Sequence, residues 1–220
     1  MSLSPFLSTL ALATVAISLT LSFILNPLAA RLGLVDRPGG RKTHTGDIPL
    51  LGGVVIFITF TSVSAYLSAL NAPLITAMAL LLVLGLYDDR YDLKPTFKLL
   101  GQVGAALIFM FAGDIHIASL GSLSGSRELL LGLWGYPLTL VAIVGLINAL
   151  NMSDGIYGLA ASLTLLALSH LVMAMQLIAR PLGGDVLMEL IVFGAAIMGF
   201  FLLNIGLKNT KKSFWAIRDR

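Results

Sequence analysis

The chain has 220 residues, 57% of them hydrophobic and only 11% charged, and its mean hydropathy is +0.95. A water-soluble domain carries about 25% charged residues, so an ordinary soluble fold is excluded and a polytopic membrane protein forming one helical bundle is expected. The net charge of +3 is small, no nucleic-acid partner is expected, and with no cysteine the sequence says nothing about redox compartment.

Apolar runs of the length a helix needs to cross the hydrocarbon recur along the chain. Seven are expected to span: Leu7–Leu25, Leu50–Leu70, Ala72–Tyr87, Phe97–Gly113, Leu129–Met152, Ile156–Ala179 and Val186–Leu207, the third being the shortest. In lipid every backbone polar group must be paired within its own segment, so these are helices and the fold class is all-α. The first run has no Lys or Arg ahead of its apolar core and no persuasive cleavage site, so it is expected to be a mature helix and not a signal peptide. Small residues in "GQVGAAL" and "FGAAIMGF" suit close helix packing. Midspan polar groups are few. Gln102 is one, and His170 is expected to be a satisfied packing residue.

The basic residues orient the bundle. Arg31, Arg37, Arg41 and Lys42 follow the first span, Arg90, Lys94 and Lys98 the third, and Lys208, Lys211, Lys212, Arg218 and Arg220 the seventh. Only Arg127 and Arg180 lie on the other side. The positive-inside rule makes the richer side cytoplasmic, with the N-terminus outside and 208–220 a basic cytoplasmic tail.

Three loops on that face carry the chemistry. The first, "GLVDRPGGRKTHTGDIPLLGG", joins paired cations to a histidine, prolines and glycines. The second, "YDDRYDLK", has adjacent acids Asp88 and Asp89, and the third, "LINALNMSDGIYGLAA", has Asp154 among Asn148, Asn151 and Ser153. The outer loops hold only scattered charges, among them Asp114, Asp185 and Glu189. Positive-inside topology accounts for the cations but not for the turns beside them. Carboxylates at helix ends suit Mg²⁺, which takes one or two of them, keeps several waters and completes its shell with substrate phosphates. Arg41, Lys42 and His44 suit phosphate oxygens, Arg as a bidentate fork and Lys as a point charge. Phosphate transfer at the cytoplasmic membrane surface, on a substrate held in lipid, is the chemistry this implies. The identity of that substrate is not contained in the pattern.

Together "GLVDRPGGRKTHTGDIPLLGG", "LGLYDDRYDLK" and "INALNMSDGIYGL" resemble the polyprenyl-phosphate N-acetylhexosamine-1-phosphate transferases, from about Gly33 to Asn204. The first loop is more similar to the GlcNAc-1-phosphate branch than to the peptidoglycan branch. The resemblance implies transfer of a sugar-1-phosphate from a UDP-sugar to polyprenyl (undecaprenyl) phosphate, with release of UMP, in a multi-pass protein of the bacterial inner membrane. It implies that residues 1–207 are a transmembrane transferase-like domain covering the N-terminal two-thirds of the family fold. Asp88, Asp89 and Asp154 would be catalytic and would hold Mg²⁺ (or Mn²⁺). Arg41, Lys42, His44, Asn148 and Asn151 would bind substrate, the two asparagines by shaping the third loop. A homodimer is compatible with it. A phosphate monoester has a second pKa near about 6, so the lipid phosphate is already mostly a dianion at neutral pH and direct attack is favoured. A covalent route through an aspartate stays open.

The chain departs from the family at two places. Where the third loop of relatives has a second acid, this chain has Tyr157, neutral and a poor Mg²⁺ ligand. Relatives also continue past the seventh span, whereas this sequence closes on "KKSFWAIRDR". Shifted by one base, that tail accommodates V-F-L-G-D-(S/T/P)-G-S, close to the family's next motif, with Leu and Gly forced by the genetic code. Ser213–Arg220 is therefore read as a frameshifted remnant, and residues 1–220 are expected to be inactive or nearly so. The competing readings are a small transporter and a non-catalytic membrane fragment.

Overall fold

A computed structural model describes residues 5–32, 35–36, 48–49, 51–122, 125, 128–153, 158–177 and 184–209. Among them are seven helices, α1 (Pro5–Leu32), α2 (Gly52–Tyr66), α3 (Ala72–Tyr91), α4 (Pro95–Ala112), α5 (Gly135–Ser153), α6 (Leu159–Leu177) and α7 (Gly184–Asn209). The only paired strands there are two residues each, β1 (Val35–Asp36) and β2 (Ile48–Pro49), antiparallel with Val35 opposite Pro49. The fold is the all-α bundle expected, and the protein is a membrane protein. Five helices are long and apolar enough to cross a bilayer: α1, α3, α4, α5 with the 3₁₀ turn before it, and α7. The apolar stretches of α2 and α6 are shorter.

Several boundaries differ from the apolar runs. Helix α1 continues beyond Leu25 to Leu32, because a helix does not end where its side chains turn polar. Helix α2 stops at Tyr66, where Leu67 and Ala69 donate back to Val63 and Ser64 and Ser68 turns the chain at φ 54°. The apolar Leu129–Leu131 does not belong to the fifth helix. Its backbone pairs with 118–121, and α5 begins only after a 3₁₀ turn at Gly132–Trp134.

The third helix carries the largest correction. Asn71 caps it, Oδ1 accepting the Leu74 N–H at 3.2 Å, with Pro73 in the first turn. It then runs through Asp88, Asp89 and Arg90 to Tyr91, so the acids expected on a loop lie in its last turn. It ends at Asp92, which adopts the left-handed conformation (φ 48°) and donates its N–H to the Asp88 carbonyl at 2.8 Å.

The chain divides into two compact units, one of Met1–Leu70 with Ile156–Arg220 and one of Asn71–Gly155. In the first, α7 packs against α1, α2 and α6. Thr14, Ser18 and Ser22, each one turn apart on α1, are fully buried. Ser18 Oγ donates to the Ala196 carbonyl of α7 at 2.7 Å. A Cβ at Gly199 would stand 2.6 Å from Ser18 Cβ and 2.7 Å from the Val15 carbonyl oxygen, so only glycine lets these helices approach so closely. Phe60 of α2 meets Phe193 edge to face, centroids 5.6 Å apart. In the second unit α4 packs against both α3 and α5 and buries Ala105, Ala106 and Met110. The small residues of "GQVGAAL" and "FGAAIMGF" thus lie at helix contacts, as expected.

Candidate functional site

Two of the site candidates of the second unit, Asp88 and Asn148, meet one face of α4. Pro95 opens that helix, which puts Lys98 and Gln102 four residues apart and therefore one above the other. Lys98 Nζ lies 2.7 Å from Asp88 Oδ1, an ion pair about three-quarters buried at the aspartate side chain. The same Oδ1 accepts the Leu93 N–H at 3.0 Å. Asp88 therefore clasps the α3–α4 turn, giving one acceptor to a backbone donor left over by the helix end and one charge to the ammonium group. Asp89, next to it, is exposed.

One turn further along α4, buried Gln102 faces α5. The Asn148 amide donates to Gln102 Oε1 at 2.7 Å and to its own helix at the Val144 carbonyl at 2.8 Å, and Gln102 Nε2 donates back at 3.4 Å. Two amides that satisfy one another in an apolar surrounding set the rotation of α5 about its axis. Asn148 lies within α5, and the third-loop residues 154–157 that it was expected to shape lie outside the described residues. Asn151, in the last turn of α5, is exposed. Lys98 and Gln102 thus link Asp88 to Asn148 through one polar row. The C-terminus of α3, the N-terminus of α4 and the C-terminus of α5 share one end of this unit.

An aromatic pair flanks the acids. Tyr87 and Tyr91, one turn apart, have ring centroids 4.5 Å apart, and the Arg90 guanidinium carbon lies 5.8 Å from the Tyr91 ring centre. His170, on α6, is exposed rather than packed, and its Nδ1 is satisfied by donating to the Leu166 carbonyl of its own helix at 2.7 Å.

The sequence reading treated Lys98 only as an orienting charge and Gln102 only as a midspan polar group. Their four-residue spacing behind a helix-opening proline was the available signal. Arg41, Lys42, His44, Asp154 and Tyr157 lie outside the described residues. The β1–β2 pair does show that the chain leaving Asp36 returns beside it at Ile48.

Among the described residues, no three His, Asp or Glu side chains gather as a metal cluster. The donor chemistry still fits Mg²⁺, for which two carboxylates suffice beside water and substrate phosphate. Both contacts of Asp88 fall on Oδ1, so Oδ2 keeps its acceptor capacity among the described residues.

Residues 71–208 match the profile of glycosyl transferase family 4. The chain belongs to that family. Members similar to it include the undecaprenyl-phosphate alpha-N-acetylglucosaminyl 1-phosphate transferases of Escherichia coli O157:H7 and Salmonella typhi, 35% and 37% identical over 84% of this chain. The Yersinia pestis transferase of the same name is 34% identical over 86% of it. The chain spans about half the length of these family 4 relatives, between 50% and 52%. The family match covers the whole polar row, from Asp88 through Lys98 and Gln102 to Asn148.

Proposed function

We propose that this chain is part of a transferase that moves GlcNAc-1-phosphate from a UDP-sugar to undecaprenyl phosphate at the cytoplasmic face of a bacterial inner membrane. The observation that carries the reading is the relatives' named activity, held at 35% identity across 84% of the chain. An oxygen of the lipid phosphate attacks the β-phosphorus of the nucleotide. A new P–O bond forms, the bond to the α-phosphate oxygen breaks, and UMP leaves with that oxygen. The product is a polyprenyl-diphosphate sugar, the first intermediate of an envelope polysaccharide.

The difficulty is charge, since a dianion must approach a diphosphate. Asp88, Asp89 and Asp154 are assigned to Mg²⁺ (or Mn²⁺), which when bound offsets phosphate charge. Asp89 is the more accessible donor, while Asp88 also fixes the turn through Lys98. Arg41, Lys42 and His44 are assigned to phosphate or nucleotide binding, where fixed cations favour charge that develops in the transition state. Asn148, held by Gln102, positions the end of α5 that leads to Asn151 and Asp154.

The test is transfer of radiolabel from UDP-GlcNAc to extractable lipid by membranes containing the chain and undecaprenyl phosphate. Tyr157 replaces an acid that the family uses, and each lost charge-stabilising group costs about 10²–10³ in rate. Weak Mg²⁺-dependent transfer is therefore expected from residues 1–220, rising in Tyr157→Asp. Label that enters lipid equally in the Asp89→Asn and Asp154→Asn variants would overturn the assignment.

A further inference from the structure

The connection from α4 to α5 lies at the end of its unit opposite the polar row, and it is not built like a loop in water. Among its described residues, two arms pair antiparallel as in a narrow hairpin. Leu120 donates to Leu129 at 3.0 Å, Leu129 to Gly121 at 2.9 Å and Leu131 to Ala118 at 2.9 Å, with Ser119 bridging Leu130.

The hairpin is also fastened to the helix ends. The Ile117 N–H donates to Thr139 Oγ1 at 2.8 Å, and that buried hydroxyl donates to the Gly135 carbonyl at 2.6 Å. The His116 ring stacks on Tyr136 at 4.4 Å, and Tyr136 stacks with Phe111 of α4 at 5.7 Å. Such rings add about 0.5–1.5 kcal/mol per pair beyond their buried area. The hairpin is thus held down where the two helices end.

Its most exposed large side chains are nevertheless apolar. Leu130 is 72% exposed, Leu133 85% and Trp134 78%, and Leu120 and Leu129 are about half exposed. Leu129 and Leu130 are consecutive in an extended strand, so they point to opposite faces. The Leu129 face is apolar, with Leu120 and Leu131 beside it, whereas Leu130 shares its face with Ser119 and Glu128. Both helices that it joins are apolar enough to cross the bilayer, and the apolar stretch leading into α5 starts at Gly132. The acids Asp114 and Glu128 are exposed and remain free to turn to the aqueous side.

We propose that the two arms of this hairpin, 114–122 and 128–134, lie within the membrane interface, with the boundary between lipid headgroups and acyl chains as their partner. Trp134 marks the depth, as amphipathic rings do at this level.

The protein carries its own probes. It has two tryptophans, so Trp215→Phe leaves Trp134 alone, and it has no cysteine, so Leu129→Cys and Leu130→Cys each accept one environment-sensitive dye. The full chain is reconstituted in phosphatidylcholine vesicles that carry bromine at shallow or deep positions. Trp134 and both dyes are expected to emit blue-shifted light. Shallow bromines should quench them several-fold more than aqueous iodide, with the label about 5–10 Å below the headgroups. If Leu130→Cys does not fold, Ser119→Cys, which pairs with Leu130 across the two arms, gives the same reading. Red-shifted emission with iodide quenching at either face of the hairpin would overturn the proposal, even if Trp134 itself reports lipid.

Discussion

Gln102 and Asn148 hold each other's amides, so truncating one strands the other. A buried polar group without its partner costs about 1–3 kcal/mol, and polar pairs between membrane helices couple by about 0.6–1.7 kcal/mol. Gln102→Ala and Asn148→Ala should each lower the melting temperature in detergent, and the double variant should lose less than the two together. Strict additivity would mean that the amides do not meet. The adjacent acids divide differently. Asp88→Asn keeps an acceptor for Leu93 but loses the charge facing Lys98, and should cost about 1.5–3 kcal/mol as a charge-assisted bond. Asp89→Asn, at an exposed position, should cost less than Asp88→Asn. If the transferase proposal holds, Asp89→Asn nevertheless removes most of the label transfer. A loss of stability at Asp89 equal to that at Asp88 would contradict this division of roles.

At the scale of elements, the crossing of α1 and α7 is set by what Gly199 lacks. Gly199→Ala places a methyl group within 2.6–2.7 Å of Ser18 Cβ and the Val15 carbonyl oxygen, so the helices must separate and lose the Ser18–Ala196 hydrogen bond. Overpacking of this kind costs about 1–3 kcal/mol. Gly85 of α3 is the control, because nothing lies within 4 Å of the Cβ it lacks. Gly85→Ala should stabilise by about 0.5–1 kcal/mol through helix propensity alone. Thermal unfolding of both variants in the same detergent separates close approach from propensity. Equal shifts would remove the argument for Gly199.

For the whole molecule, the proposed orientation rests on parity. Helix α2 has 15 residues, a rise of about 22 Å against a hydrocarbon core of about 30 Å. A short span is accommodated by local thinning of the bilayer or by flanking side chains that reach the interface. With α2 crossing, seven helices place the N-terminus outside and a reporter fused after Arg220 in the cytoplasm. A periplasmic signal there would mean that one helix does not cross. If that helix is α2, the first motif-bearing segment no longer shares a face with the other two and the proposed mechanism fails; if it is α6, the other short helix, the three still share a face.

The order of apolar runs and the three polar motifs was legible from residue chemistry alone. Lipid forces every spanning segment to satisfy its own backbone, so composition decides helix number and fold class without reference to partners. The pattern was weaker at helix ends. Hydrogen bonding continues until a cap stops it, which is why Asp88 and Asp89 prove to be helical and why Leu129–Leu131 joins a hairpin instead of α5. Partnerships were out of reach entirely. Lys98 and Gln102 were visible as residues, but that one reaches Asp88 and the other Asn148 depends on how three helices pack. Packing is settled by close approach and amide geometry between segments far apart in the chain, and only the tertiary structure contains it.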